Sequence, residues 1–420
     1  MTLSIRQDRE LVRATYRSHR FVLATVTAPT VEPVGARPSV NLAFVIDRSG
    51  SMAGAKLPLA KDAVDQGLRR LDPDDRFAVV AYDDSVDAVV QSTSASPEAV
   101  ANARRALSAI EPRGSTNLGE GWLTGCRQVA LSQRADGVDR CLLLSDGLAN
   151  VGMTDRDELA GHAAELRRRG VTTTTFGIGD DFDERLMQLI AEHGGGNFYY
   201  IEDARQIPDC ITSEVGEALD IVARGVVIEV SGPPHLEIDA LGVMPLDRRS
   251  DRTLIQLPDL VSGQELSLVV RLTFPYGQDG DSIAAAFSVS DRTAVLDPSV
   301  ATLSWRYADA AANDAQPRDR IVDRAVAAAF GARVRREAVE LQRRGDYEGA
   351  ERAIRGVARR VRAYAGNDPE LRAQVKELGA AQVAFAAPMA VHELKIQHAQ
   401  TSYLLRSKDA MGRSRRQPPQ

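Results

Sequence analysis

The chain has 420 residues, of which 44% are hydrophobic and 26% charged, with a formal net charge of −6. That length allows two or three domains with a sizeable core, and the composition excludes fibrous, disordered and disulfide-stapled classes. Cys126, Cys141 and Cys210 are too few and too scattered for a disulfide framework or a zinc site. No stretch reaches the roughly 20 apolar residues that cross a bilayer. The charged start, "MTLSIRQDRELVRATYRSHRF", lacks the apolar core of a signal peptide. A cytoplasmic protein with reduced thiols is the expectation.

In chain order, "HRFVLATVTAP" reads as a strand, and the uninterrupted apolar run Val40–Asp47 reads as a strand covered on both faces. From there the two kinds of element alternate. "KLPLAKDAVDQGLRRL" is helical, with Leu57, Ala60, Val64, Leu68 and Leu71 on one face. "RFAVVAYD" and "VDAVVQS" make a hairpin, and "SPEAVANARRALSAI" is a helix started by a Ser cap and Pro97. A helix after "GSTNLGEG" precedes the strand "RCLLLSDG" and the helix "DRDELAGHAAELRRRG". Strand "TTTTFGIG", helix "DERLMQLIAEHG", strand "NFYYI" and helix "QIPDCITSEVGEALDIV" complete the series. Such alternation predicts a doubly wound α/β domain over 38–222. The glycines of "HGGGN" serve a helix end, and the acids of "GDDFDE" serve as helix caps.

Between 225 and 309 the pattern changes to short strands separated by turn residues, as in "GVVIEVSG", "ELSLVVRLTFP" and "VATLSWRY". That spacing predicts a β-sandwich over 223–310, to which residues 1–37 would contribute strands. Residues 317–408 read as helical: Gly345 and Gly366 stop helices, Asp346 and Asp368 cap them, and Ala350, Ile354, Val357, Val361 and Tyr364 trace one face. The basic end, 409–420, reads as disordered. Residues 318–420 carry 21 Lys and Arg against 12 Asp and Glu, leaving 31 against 46 for the rest. The arginines alternate with glutamates and few aromatics intervene, which favours a solvated helical surface or self-association over nucleic acid.

Three segments carry chemistry. Asp47, Ser49 and Ser51 leave the end of a central strand, Thr116 sits in a loop before a helix, and Asp146 follows a buried strand. In a doubly wound sheet all three belong at the carboxyl edge, where ligands bind near the switch in strand order. Two carboxylates and three hydroxyls are hard oxygen donors, suited to Mg²⁺ or Mn²⁺.

Asp-x-Ser-x-Ser, a later Thr and a later Asp resemble the metal-ion-dependent adhesion site of von Willebrand factor type A domains, here Asp47, Ser49, Ser51, Thr116 and Asp146. The resemblance covers about 40–220, including "LAFVIDRSGSM", "GSTNL", "LLLSDG" and "TFGIGDDFDERL", and the strand-rich flank resembles the sandwich attached to this domain in bacterial members. It implies a fold in which this α/β (Rossmann-like) domain is inserted in or attached to the β-sandwich and is followed by the helical region. It further implies that Ser49, Ser51 and Thr116 ligate Mg²⁺ (alternatively Mn²⁺ or Ca²⁺), while Asp47 and Asp146 act through water or from behind. One coordination position is then left for an acidic side chain of a partner. The expected function is a bacterial, intracellular, metal-dependent protein-binding module or scaffold, not an enzyme.

Enzyme patterns fit poorly. A haloacid-dehalogenase-type site needs a second Asp where Ser49 stands, no P-loop ending occurs near the strand ends, and Ser51 lacks the flanking glycines of a nucleophile elbow. His162 and His193 fall within helices, and His392 and His398, six apart, share no helical face. A scaffold that works through its helical end, with a non-essential metal site, is the alternative; a metal-dependent phosphohydrolase is the third.

Overall fold

The structure, a computed structural model, describes residues 2–30, 37–298, 300–409 and 411–416. The chain divides into two compact units, 1–30 with 223–420, and 31–222. Among the described residues no helix is long and apolar enough to cross a membrane.

The first unit opens with β1 (Leu3–Gln7), β2 (Leu11–Arg13) and β3 (Ser18–Thr27). The second unit then begins with β4 (Val40–Asp47), buried at every position. Parallel neighbours flank it on both sides: β5 (Arg76–Tyr82) and β7 (Val138–Ser145). With β6 (Val86–Ser94), β8 (Val171–Ile178) and β9 (Gly195–Ile201) the sheet order is β6-β5-β4-β7-β8-β9. The order reverses at β4, so its carboxyl end is the switch point of the sheet.

Six helices alternate with these strands: α1 (Lys56–Leu68), α2 (Pro97–Ser108), α3 (Leu118–Ala130), α4 (Arg156–Arg168), α5 (Glu184–Gly194) and α6 (Ile207–Leu219). Local chemistry sets their starts. Ser96 accepts the Ala99 N–H at the head of α2, and Asp183 accepts the Leu186 N–H at the head of α5. Helix α3 starts inside "GSTNLGEG" rather than after it, because the Asn117 side chain accepts the Glu120 N–H and caps it early. Gly125 lets α3 lie against β4: a methyl group there would overlap Val45. None of the three cysteines forms a disulfide.

One charged group sits deep beneath this sheet. Glu214 of α6 is fully buried. Its Oε1 accepts from the Arg140 guanidinium at 2.6 Å and the Thr174 hydroxyl at 2.6 Å, and its Oε2 from Asn197 Nδ2 and the Tyr199 hydroxyl, both at 2.9 Å. Helix α6 is thereby held to β7, β8 and β9.

After β10 (Ile221–Ala223) the first unit resumes with β11 (Val227–Ser231), β12 (Glu237–Ala240), β13 (Leu246–Arg248), β14 (Arg252–Gln256), β15 (Leu260–Val261), β16 (Glu265–Phe274), β17 (Ser282–Ser290) and β18 (Val300–Ala308). Two sheets result, β1-β3-β16-β12 and β13-β14-β11-β17-β18-β2. The rings of Phe274 on β16 and Trp305 on β18, 5.0 Å apart, meet between them. Strands β13 and β15, three and two residues long, escape the sequence reading, while β1 and β2 fall within 1–37, read there as strands without bounds of their own.

Helices α7 (Ala310–Ala315), α8 (Arg320–Arg343), α9 (Tyr347–Ala365), α10 (Pro369–Ala384) and α11 (Val391–Leu405) follow. Asp346 and Asp368 cap α9 and α10. The buried face Ala350, Ile354, Val357 and Val361 packs on Val334, Ala338, Leu371 and Leu378. The disordered end expected over 409–420 is corrected as far as Arg416. Backbone bridges join Lys408 to Ser414 and Gln264 to Arg416, so the polar backbone is satisfied by a turn and by β16's neighbour residue. Residues 410 and 417–420 lie outside the described residues.

Candidate functional site

The loop after β4 turns because of its own acid. Asp47 Oδ1 accepts the Ser49 N–H at 2.8 Å, which bends the chain out of the strand, and Oδ2 accepts the Ser145 hydroxyl at 2.7 Å from the end of β7. The bend faces Ser49 and Ser51 the same way, with their hydroxyl oxygens 3.0 Å apart. Ser51 in turn donates to Asp146 Oδ1 at 2.6 Å. The remaining oxygen, Asp146 Oδ2, accepts from the ammonium of Lys56, the first residue of α1.

Thr116 completes the group. A methyl group placed on Gly147 would stand 3.2 Å from Thr116 Oγ1 and 3.6 Å from Ser51 Oγ, so both hydroxyls border this glycine's open face. Asp47, Ser49, Thr116 and Asp146 are buried, whereas Ser51 is exposed. The five side chains named from the sequence therefore lie at one edge of the sheet, open to solvent on one side.

Backbone bonds tie the three loops together. Gly50 N–H donates to Gly114 O at 3.2 Å, Arg113 N–H to Arg48 O at 2.8 Å, and Asn117 N–H to Asp83 O at 2.7 Å. Asn150 Oδ1 accepts the Thr116 N–H at 3.0 Å, and its own N–H returns to Thr116 O at 3.2 Å. Beside them, Asp83 Oδ2 accepts from Arg48 Nε at 2.9 Å and Arg113 Nε at 2.6 Å. Sequence reasoning missed this clasp and Lys56. Asp83 ends a buried strand in "YDDS", the same signal that marked Asp47 and Asp146, but Lys56 carries no local signal beyond helical period.

The electrostatics follow from burial. Loss of solvent pushes the Asp47 carboxyl up to about 6, opposed by the Ser49 and Ser145 hydrogen bonds and reinforced by the charge of Asp146. At Asp83 burial also pulls upward, but hydrogen bonds from Arg113, Ser85 and Arg48 outweigh it and hold that carboxyl well below the usual range.

Every side chain of the quintet offers oxygen, and none offers nitrogen or sulfur. Among the described residues no group of three or more His, Cys, Asp or Glu could hold a metal, so a cation here rests on hydroxyls. Neutral hydroxyls backed by two carboxylates fit a small, hard divalent ion.

Comparison with known proteins places the α/β unit. Residues 41–213 match the family model of the von Willebrand factor type A domain. This unit is a von Willebrand factor type A domain. The chain is similar to the protein YfbK of Escherichia coli, 29% identical over 271 residues, covering 63% of this chain and 47% of that one. It is also similar to sll0103 of Synechocystis, 28% identical over 254 residues, covering 56% of this chain and 57% of that protein. A more partial match is the human inter-alpha-trypsin inhibitor heavy chain H1, 28% identical over 191 residues, covering 43% of this chain and 21% of that one. The matches span about half the length of the two bacterial relatives.

Two solved structures share the fold over most of the chain. A von Willebrand factor type A protein from Catenulispora acidiphila superposes with a TM-score of 0.69 at 16% identity, covering 90% of this chain and 87% of that one. The ArnB paralog VWA2 from Sulfolobus acidocaldarius gives 0.61 at 16% identity, covering 96% and 98%. Von Willebrand factor type A domains are commonly protein-interaction modules that carry a metal-ion-dependent adhesion site.

Proposed function

We propose that this protein is a divalent-metal-dependent binding module that captures an acidic side chain of a partner protein. Ser49, Ser51 and Thr116 hold Mg²⁺ through their hydroxyl oxygens, and Asp47 and Asp146 support them through water or from behind. The observation that carries this reading is the hydroxyl cluster at the switch point. Ser51 gives its proton to Asp146, so its lone pairs are left for a cation. Bound Mg²⁺ supplies Lewis acidity toward a carboxylate, and neutral ligands leave most of its charge for that carboxylate. The site is better built for binding than for turnover, because the carboxylates of Asp47 and Asp146 are already engaged by Ser49, Ser145, Ser51 and Lys56.

In this reading the domain of 38–222 works as an intracellular scaffold of a bacterial cell, with a β-sandwich made from strands up to Thr27 and from 223–310 in the same chain. The helical region of 317–408 adds a contact or self-association surface. Calorimetric titration of Mg²⁺ into the chain tests the site. Wild type should bind one ion, and Asp47→Ala and Thr116→Ala should not. Retained binding in both variants would refute the assignment, and a partner captured equally well in chelator would refute the mode of capture.

A further inference from the structure

Lys56 stands out among the groups around the hydroxyl cluster because its position is unfavourable on local grounds. It opens α1, whose first turn holds no acid and whose N-cap, Ala55, makes no side-chain cap bond. A cation at a helix N-terminus meets the positive end of the helix dipole. The compensation comes from another element: Asp146, fully buried at the end of β7, receives the Lys56 ammonium on Oδ2 while Oδ1 takes the Ser51 proton. The Lys56 side chain is 28% exposed, so its charge is only partly screened by solvent.

The geometry around the lysine also fixes where its charge can go. Its Nζ would lie 3.8 Å from a methyl group on Gly179, a residue with φ +72° in the turn after β8. The side chain thus starts after β4, reaches Asp146 after β7 and borders the turn after β8. It spans the carboxyl ends of three adjacent strands, alongside the hydroxyl cluster.

We propose that Lys56 sets the metal affinity of this site by sharing Asp146 with the bound cation. The inference rests on the metal-site reading above. With Asp146 half claimed by an ammonium, the quintet attracts a divalent ion less strongly than two free carboxylates do. Two carboxylates, one ammonium and a divalent ion sum to one positive charge, which suits an anionic partner. Lys56 is therefore a positioning residue that trades hold on the ion for attraction toward the partner's acid.

The test is calorimetric titration of Mg²⁺ into the full chain at one fixed ionic strength. It compares wild type, Lys56→Met, Lys56→Gln and Lys56→Arg, with thermal melts in parallel. Lys56→Met and Lys56→Gln should bind Mg²⁺ more tightly than wild type, by roughly tenfold. Lys56→Arg should stay within about twofold of wild type, because its charge is retained. A lysine with a merely structural role would lower the melting temperature in both neutral variants and leave the affinity unchanged or weaker, and that result overturns the proposal. If neither wild type nor the neutral variants bind Mg²⁺, the metal-site reading falls and takes this inference with it. Tight binding by wild type that is indifferent to Lys56 would sink the inference alone.

Discussion

Glu214 and Asp146 are both fully buried acids of one α/β unit, yet the donors that reach them differ in exposure. Around Glu214 the donors are a guanidinium, an amide, a phenol and a threonine hydroxyl, distributed over both oxygens. The full charge of Arg140 offsets that of Glu214, so the pair is closed. Around Asp47 and Asp146 the side-chain donors are serine hydroxyls and one lysine. A hydroxyl that donates to a carboxylate still has lone pairs, but those of Thr174 and Tyr199 are buried, whereas that of Ser51 is open to solvent. One buried acid is thus spent on holding a helix, and the other arms a ring of oxygens that face outward. Burial and charge of the acid alone do not distinguish structure from function here; the exposure of the donors does, since Thr174 and Tyr199 are buried while Ser51 is exposed.

The largest expected effect comes from opening the closed pair. Arg140→Met strands Glu214 as an uncompensated buried charge and should cost about 3–5 kcal/mol in denaturant unfolding. The Mg²⁺ affinity of the folded fraction should be unchanged. A milder cut, Thr174→Val, removes one donor from Glu214 while three others remain, and should cost about 1–2 kcal/mol with the same indifference to metal. If either variant weakened Mg²⁺ binding as much as a change in the hydroxyl cluster, the separation of the two regions would fail.

Gly147→Ala probes the open side. Its methyl would stand 3.2 Å from Thr116 Oγ1, so the hydroxyl must give way by a few tenths of an ångström. Stability should fall by about 1 kcal/mol or less, and Mg²⁺ affinity by about fivefold, read by titration.

The smallest effect is a pH dependence at the loop clasp. The Asp83 carboxyl is held below its unfolded value, so its contribution to stability is present above about pH 4 and is lost as pH falls toward the folded value. Asp83→Asn should therefore flatten the acid limb of a melting-temperature profile. An unaltered limb would show that Arg48 and Arg113 hold the loops without that charge.

Much of the architecture was legible because it is periodic. The apolar run Val40–Asp47 and the helix–strand alternation after it specify a doubly wound sheet, and strand ends mark where its polar residues gather. Asp47, Ser49, Ser51, Thr116 and Asp146 were visible for that reason: each sits within a few residues of a strand end or a helix start. Lys56 and Glu214 were not. Both lie in amphipathic helices and read as ordinary solvated charges, and only the order β4-β7-β8 shows that each meets a buried partner from a distant segment. Helix α11 falls within the region read as helical over 317–408, but its bounds were not legible because "VHELKIQHAQTSYLL" mixes polar and apolar residues without a clear stripe.

Thermal stabilisation by Mg²⁺ in wild type, Asp146→Asn and Glu214→Gln is the most direct test of the central claim. An ion that binds the folded state raises the melting temperature with concentration. The account predicts that wild type and Glu214→Gln both gain stability as Mg²⁺ is added, the second from a lower starting point, and that Asp146→Asn gains none. Equal gains in all three, or loss of the gain in Glu214→Gln alone, would contradict it.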